Sequence, residues 1–206
     1  MTDHVIDTVE ELRSSYGEPS ERAARKTLDR LDRHCRRFIE LSPFVVLATA
    51  GADGRVDCSP RGDPPGFVEV LDDRTVLLPD RPGNNRVDSL GNVLENPHVG
   101  LLFMIPGVDE TLRLNGRATL TTDPTRLEPL SVKGRAPRSG LLVEVEEVFL
   151  HCTKAFVRSR LWAEESRVDR KSVLPSFGQM LADHVGQPDG EAVDREIRAR
   201  IRETMY

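Results

Sequence analysis

The sequence has no apolar run that approaches the length of a membrane-spanning helix. Its beginning, MTDHVIDTVEEL, is acidic and lacks the character of a secretory signal. The three cysteines, Cys35, Cys58 and Cys152, are too few and too scattered for a disulfide framework or a zinc cluster. The net charge of −5 lacks the basic excess that is typical of nucleic-acid-binding proteins. We therefore expect a cytoplasmic protein that binds no metal, membrane or nucleic acid.

The composition is that of a globular protein. Hydrophobic residues make up 38% of the 206 residues and charged residues 31%, which supports a packed core under a well-solvated surface. Internal repeats and low-complexity segments are absent from the sequence. We expect three parts: N-terminal helices over residues 1–43, a β-barrel over 44–152 and a helical cover over 153–206.

Two helices are predicted before the barrel. The first covers residues 3–15, and the motif YGEP ends it. The second begins after Ser20, which can cap it, and ends at Ser42. Between those two serines, apolar residues recur at helical spacing and predict one continuous stripe: Ala24, Leu28, Leu31, Cys35 and Phe38.

Strand patterns dominate the middle of the chain. They fall at residues 44–50, 55–59, 67–71, 75–78, 98–105, 110–121 and 141–150. From these seven segments we expect about six strands in a small antiparallel barrel, with one helix inserted after the fourth. The stretch SPRGDPPGF has too much proline and glycine for regular structure, so Ser59 and Arg61 should lie at a strand end. Cys58 is interpreted as a small buried apolar residue.

The stretch LPDRPGNNRVDSLGNVLENP, residues 78–97, predicts a strand end, a turn and then a helix. Its Pro-Gly pair favours the turn, and the two asparagines that follow are good helix N-caps. Val87, Leu90 and Leu94 then recur at helical spacing. We therefore expect a helix that begins near Asn84 or Asn85 and ends before Pro97.

The start of this helix is a candidate phosphate site. The first turn of a helix has unpaired N–H groups and the positive end of the helix dipole. Arg81 and Arg86 flank this turn, beside the amides of Asn84 and Asn85, and such groups together suit a phosphate. The segment also fits an ordinary capped helix with solvated arginines, and Arg61 also fits a solvated loop charge.

Three motifs together resemble one known family: FVVLATAGADGRVDCSPRGD, PDRPGNNRVDSLGNVLENPHVGLLFMIPG and LRLNGRATL. They are similar to the pyridoxamine 5'-phosphate oxidase-like family of FMN-binding split β-barrel proteins, and most similar to a subgroup of probable FMN-dependent enzymes. The resemblance covers roughly residues 20 to 185. It implies an α+β fold that is mainly β, a split antiparallel β-barrel with N- and C-terminal helices. It also implies a homodimer with FMN in two equivalent grooves between the subunits.

The resemblance also implies site residues. Ser59 and Arg61 match the strand that contacts the flavin ring, with the basic residue reaching the phosphate. Pro79 and Asp80 match the strand end that lies along the ribityl chain. The candidate cofactor-binding set, with Arg81 added from the phosphate argument, is Ser59, Arg61, Pro79, Asp80, Arg81, Asn84, Asn85, Arg86, Arg158 and Trp162. In that set, the segment 84–86 holds the phosphate, and Arg158 and Trp162 cover the flavin.

The sequence departs from the true oxidases in two ways. They place a lysine near the position of Arg61, and they carry an arginine–histidine pair near the C-terminus for the substrate phosphate. This chain has neither, so FMN binding is better supported than oxidation of pyridoxamine phosphate. We expect an FMN-dependent oxidoreductase for a small-molecule substrate, and the sequence predicts no catalytic residue.

Two alternatives remain open at this stage. One is a non-catalytic flavin-binding or flavin-sensing protein. The other is a groove for haem or for the deazaflavin F420, whose acidic tail would suit the basic segment 132–139.

Overall fold

The computed structural model describes residues 4–206. Three helices precede the sheet: α1 (Val9–Tyr16), α2 (Glu21–Arg25) and α3 (Arg33–Leu41). The first predicted helix is present but begins later than expected, at Val9, where Thr8 caps it and accepts a hydrogen bond from the Glu11 N–H. Its predicted first residue, Asp3, lies outside the described residues.

The second predicted helix is wrong as one continuous element, because the chain between α2 and α3 joins the sheet. There the main chain of Leu28 exchanges two hydrogen bonds with that of Val148, at 3.0 and 2.8 Å. Asp32 then caps α3 by accepting hydrogen bonds from the N–H groups of His34 and Cys35. The predicted apolar stripe is therefore not on one helix: Leu28 pairs with the sheet, whereas Cys35 and Phe38 lie on α3.

Seven strands form one sheet in the order β2-β1-β5-β6-β7-β4-β3. All neighbouring strands are antiparallel, which confirms the predicted mainly β, α+β fold of the split-barrel type. One helix, α4 (Asp88–Glu95), follows the fourth strand, as expected. The strands are β1 (Phe44–Ala50), β2 (Val56–Gly62), β3 (Glu69–Val70), β4 (Thr75–Pro79), β5 (His98–Met104), β6 (Thr111–Thr121) and β7 (Gly140–His151).

Strand β2 is longer than predicted and includes Pro60. Among residues 4–206 it pairs only with β1, as an edge strand, and an edge position tolerates a residue such as proline that has no main-chain N–H. The prediction of irregular structure directly after Ser59 is therefore wrong for residues 60–62, which belong to β2. The prediction that Cys58 is buried is also wrong, since its side chain is exposed on this strand.

The core lies against the inner face of the curved sheet. Alternate residues of β6 and β7, such as Leu112, Leu114 and Val143, are fully buried. Helix α3 covers this core with Ile39, and α4 covers it with Leu90. The burial of a continuous apolar cluster is the main stabilising contribution to such a fold.

Short helices follow β6 and β7, and one helical hairpin comes after them. The short elements are α5 (Pro124–Leu127), a 3-10 turn at Glu128–Leu130, α6 (Lys154–Ser159), a 3-10 turn at Glu164–Ser166 and α7 (Arg170–Val173). The last two helices, α8 (Phe177–Val185) and α9 (Gly190–Thr204), pack together as a hairpin. The backbones approach closely at Gly178, whose N–H donates to Asp194 and where a Cβ would lie 2.5 Å from a main-chain atom. Among residues 4–206, no helix has the length and apolar character needed to cross a bilayer.

Candidate functional site

A groove of about 970 Å³ lies between the end of β2 and the segment after β4. Residues 57–62 form one wall, and residues 79–90 form the other. Residues 135–139, before β7, the last turns of α9, Phe67 and Tyr206 complete the lining. Strands β2 and β4 are not hydrogen-bonded neighbours in the sheet, so the groove lies where the barrel is split.

Two ion pairs hold the walls together across this split. Arg61 Nη1 lies 2.7 Å from Asp80 Oδ1, and Arg81 donates through Nε to Asp63. The Asp63 side chain is only 1% exposed and that of Arg81 is 17% exposed. Each pair joins the β2 side to the β4 side, so side-chain charges close the barrel here instead of backbone hydrogen bonds.

The protein provides hydrogen-bond acceptors for only some of the N–H donors of Arg61. Its Nη2 donates to Ser89 Oγ at 3.3 Å, and Ser89 in turn donates to Asp57. Its Nε is buried without a hydrogen-bond partner, the one such side-chain nitrogen or oxygen found over residues 4–206. A buried donor without an acceptor is costly, so this atom marks a place where a ligand could supply one.

The segment 84–87 is a turn, and the prediction that a helix begins at Asn84 or Asn85 is wrong. Asn84 Oδ1 accepts a hydrogen bond from the Arg86 N–H at 3.1 Å, which closes an Asx turn in place of a helix cap. Asn85 and Val87 have left-handed φ values of 60° and 53°, and α4 begins only at Asp88. Asparagine adopts this conformation more easily than most residues do.

Arg86 projects from that turn and is 74% exposed. Its Nε lies 2.8 Å from Asp88 Oδ2, and this contact raises the pKa of the guanidinium. Its fork therefore keeps N–H groups that a ligand can reach.

The groove is electropositive although the chain is acidic. Six arginines line it against four carboxylates, and Asp63, which is outside the lining but pairs with Arg81, reduces the excess to one positive charge, while the whole chain carries −5. The arginines are Arg61, Arg81, Arg86, Arg135, Arg138 and Arg200, and the carboxylates are Asp57, Asp80, Asp88 and Glu203. This balance favours an anionic ligand.

The arginines divide into two groups of three. The three predicted from the sequence each have a carboxylate partner. Arg61 pairs with Asp80, Arg81 with Asp63, and Arg86 with Asp88. In the part of the chain that the structure describes, Arg135, Arg138 and Arg200 form no ion pair. Sequence reasoning left these three out of the site, although it did single out the basic segment that contains two of them.

The predicted set is brought together in part. Ser59, Pro79 and all predicted residues from Arg61 to Arg86 line the groove. Arg158 and Trp162 do not line it. Trp162 Nε1 donates to the Val108 carbonyl at 2.9 Å, and its ring stacks on Phe156 at 5.5 Å. A role for these two residues at the groove of a partner subunit stays a prediction.

The fold and the groove define a class: a split antiparallel β-barrel protein with an arginine-lined cleft at the split. The model of the family described as pyridoxamine 5'-phosphate oxidase matches residues 31–152, which is more than half of the chain. The chain belongs to the pyridoxamine 5'-phosphate oxidase family. The resemblance inferred from the sequence motifs is therefore confirmed.

Solved structures that resemble this chain are distant in sequence. HupZ from Group A Streptococcus is 16% identical over 58% of this chain and 93% of its own, with a TM-score of 0.49. A candidate pyridoxamine 5'-phosphate oxidase from Lactobacillus delbrueckii is 21% identical over 59% and 95%, with a TM-score of 0.45. An F420 reductase is 16% identical over 59% and 98%, with a TM-score of 0.41. No match is found among the curated proteins.

Proposed function

We propose that this chain binds FMN in the groove and acts as an FMN-dependent oxidoreductase on a small-molecule substrate. The observation that carries the proposal is the electropositive groove at the split of the barrel, in a chain of the pyridoxamine 5'-phosphate oxidase family. Its volume of about 970 Å³ is at the upper end of the range for cofactor sites.

The donors in the groove suit FMN. The FMN phosphate carries nearly two negative charges, and guanidinium groups bind phosphate with charge-assisted, forked hydrogen bonds. Arg86 offers free N–H groups from the exposed turn, and Arg81 keeps an Nη2 that donates no hydrogen bond within residues 4–206. The buried Nε of Arg61, on the opposite wall, also lacks an acceptor within the described residues. We assign the phosphate to the end of the groove formed by these arginines.

The other wall would hold the ring. Strand β2 pairs with β1 on one side only, so its second edge presents main-chain N–H and C=O groups. These groups can hydrogen-bond the polar edge of a flavin, and Ser59 lies on this strand. When bound, FMN would supply the redox chemistry, and the chain would bind and orient it against the substrate.

We further propose a homodimer in which a second subunit completes the groove. Two exposed apolar side chains support this proposal: Val87, which lines the groove, is 57% exposed, and Val56, which precedes the wall residue Asp57 at the start of β2, is 84% exposed. A partner that covers them would also exclude water from the ring. The segment with Arg158 and Trp162 is our candidate for the part that reaches across.

A deazaflavin is the second candidate ligand, because Arg135 and Arg138 line the groove and, within residues 4–206, form no ion pair with an Asp or Glu side chain. The acidic tail of F420 could bind there. Mass spectrometry of the ligand that co-purifies with the protein would distinguish FMN from F420 and from haem. Turnover with a reductant would then separate an enzyme from a non-catalytic flavin-binding protein.

The decisive experiment compares FMN and riboflavin in titrations of the wild type and Arg86→Ala. Loss of one charge-assisted hydrogen bond should weaken FMN binding roughly ten- to a hundred-fold, whereas riboflavin, which has no phosphate, should be unaffected. Arg55→Ala is the matched control, because Arg55 is 92% exposed, pairs with Asp53 and lies outside the groove. Equal weakening of both ligands would contradict the phosphate assignment, and failure of wild type to bind FMN would refute the proposal.

A further inference from the structure

The helical hairpin α8–α9 reaches the groove only with its last turns and the residues after them. There, Arg200 Nη2 donates to the Gly83 carbonyl at 3.4 Å, and Arg135 donates to the main-chain oxygen of Tyr206. Lys133 Nζ lies 5.3 Å from the centroid of the Tyr206 ring. These contacts with the groove wall at Gly83 and with the basic segment before β7 are polar or cation–π.

The strongest of these contacts connects Tyr206 to the split of the barrel. Tyr206 Oη donates to Asp63 Oδ1 at 2.6 Å, and the same carboxylate accepts a hydrogen bond from Arg81. Asp63 is almost fully buried, so both donors compensate its charge. The hydrogen bond to Asp63 raises the pKa of the Tyr206 hydroxyl, which therefore stays protonated and able to donate. Through this carboxylate, the position of α9 is linked to Arg81 on the groove wall.

The hairpin does not share the core of the barrel. Its buried apolar side chains, Ala182 and Val193, belong to neither the sheet nor the apolar cluster beneath it. Near the groove its apolar residues stay accessible, with Ile201 at 47% and Met205 at 55% exposure. Movement of the hairpin away from the groove would therefore break a few polar contacts and leave the barrel core covered. Segments held in this way open at low cost in free energy.

We propose that the α8–α9 hairpin is a lid on the groove and that the hydrogen bond from Tyr206 to Asp63 is its latch. Opening of the lid breaks this hydrogen bond and admits or releases the ligand, and closing covers the anion end of the groove. The latch is independent of the identity of the ligand, whereas the gating role rests on the proposed binding of FMN. Tyr206 is thus a positioning residue that acts through Asp63.

The latch is tested by hydrogen–deuterium exchange of the ligand-free protein. Tyr206→Phe removes only the hydroxyl, and amides of α9 should then exchange on the order of ten-fold faster, since a hydrogen bond to a charged group is lost. Amides of β5 and β6 should keep their protection, which shows that the barrel remains folded. Arg202→Gln is the matched control: this residue lies on α9, is exposed and lines no part of the groove. Arg200→Gln, which removes the contact with Gly83, should also speed exchange in α9.

The gating role is tested by stopped-flow kinetics with FMN. A lid predicts that Tyr206→Phe speeds both association and dissociation several-fold, with a smaller change in Kd, whereas Arg202→Gln changes neither rate. Unchanged α9 exchange in Tyr206→Phe would overturn the latch. If α9 amides of Tyr206→Phe exchange faster but its FMN association and dissociation rates are unchanged, the gating role is overturned, whereas FMN binding itself is not. If the wild type binds no FMN, the proposed cofactor fails and the latch is judged by exchange alone.

Discussion

The ion pair between Arg81 and Asp63 should contribute more to stability than any exposed pair in the chain. Replacing Arg81 with leucine leaves a carboxylate that is 1% exposed with a single remaining donor, the Tyr206 hydroxyl. Removing one partner of a buried pair typically costs about 3–5 kcal/mol, because the other charge remains buried without its counter-ion. Burial of both side chains places this pair in that class, and we expect a loss of this size in the free energy of unfolding.

Urea denaturation of the ligand-free protein measures the effect. The double variant Arg81→Leu/Asp63→Leu should recover much of the stability lost by Arg81→Leu, since it removes the stranded charge as well. Arg55→Ala, which breaks an exposed pair, should change the free energy of unfolding very little. A loss in Arg81→Leu as small as that in Arg55→Ala would refute the reasoning, and so would a double variant less stable than the single one.

Three further predictions follow from other regions. Sedimentation should show a homodimer, and a monomer that still holds FMN tightly would contradict the proposed shared groove. In the native protein Cys58 and Cys152, which are exposed, should react with a thiol reagent at pH 8. Cys35 should not react, because burial raises the pKa of its thiol to about 11. Labelling of all three cysteines before unfolding would contradict this prediction. Gly116→Ala should cost about 1–3 kcal/mol or more, since its Cβ would lie 1.9 Å from the Glu144 carbonyl at a β-bulge. Gly100→Ala, with its nearest contact at 3.4 Å, is the control, and equal melting temperatures for the two variants would contradict the prediction.

The strands could be predicted from the sequence because their burial pattern is local. FVVLATA and the alternating residues of 110–121 predicted β1 and β6 with almost the observed bounds. The break between α2 and α3 could not be predicted, because it depends on the pairing of Leu28 with Val148, 120 positions away. The inclusion of Pro60 in β2 likewise depends on β2 being at the sheet edge, which only the strand order reveals.

For the candidate site, the sequence predicted the parts that are close along the chain. Residues 59–61 and 79–86 were identified, and the structure places both segments on the groove walls. Tyr206 could not have been identified, since no local pattern marks it and its partner Asp63 is 143 positions away. The turn at Asn84–Val87 was mistaken for a helix start because asparagine side chains cap helices and close turns with the same hydrogen bond.

The position of the groove at the split of the barrel has a consequence for folding kinetics. Its two walls, β2 and the segment after β4, stand at opposite ends of a series of pairings that runs through β1, β5, β6 and β7. The walls can meet only when all of these non-local pairings have formed, and such pairings are slow. If FMN binds in the groove as proposed, quenching of its fluorescence in a refolding experiment should therefore appear with the last phase, after the circular dichroism of the sheet has recovered.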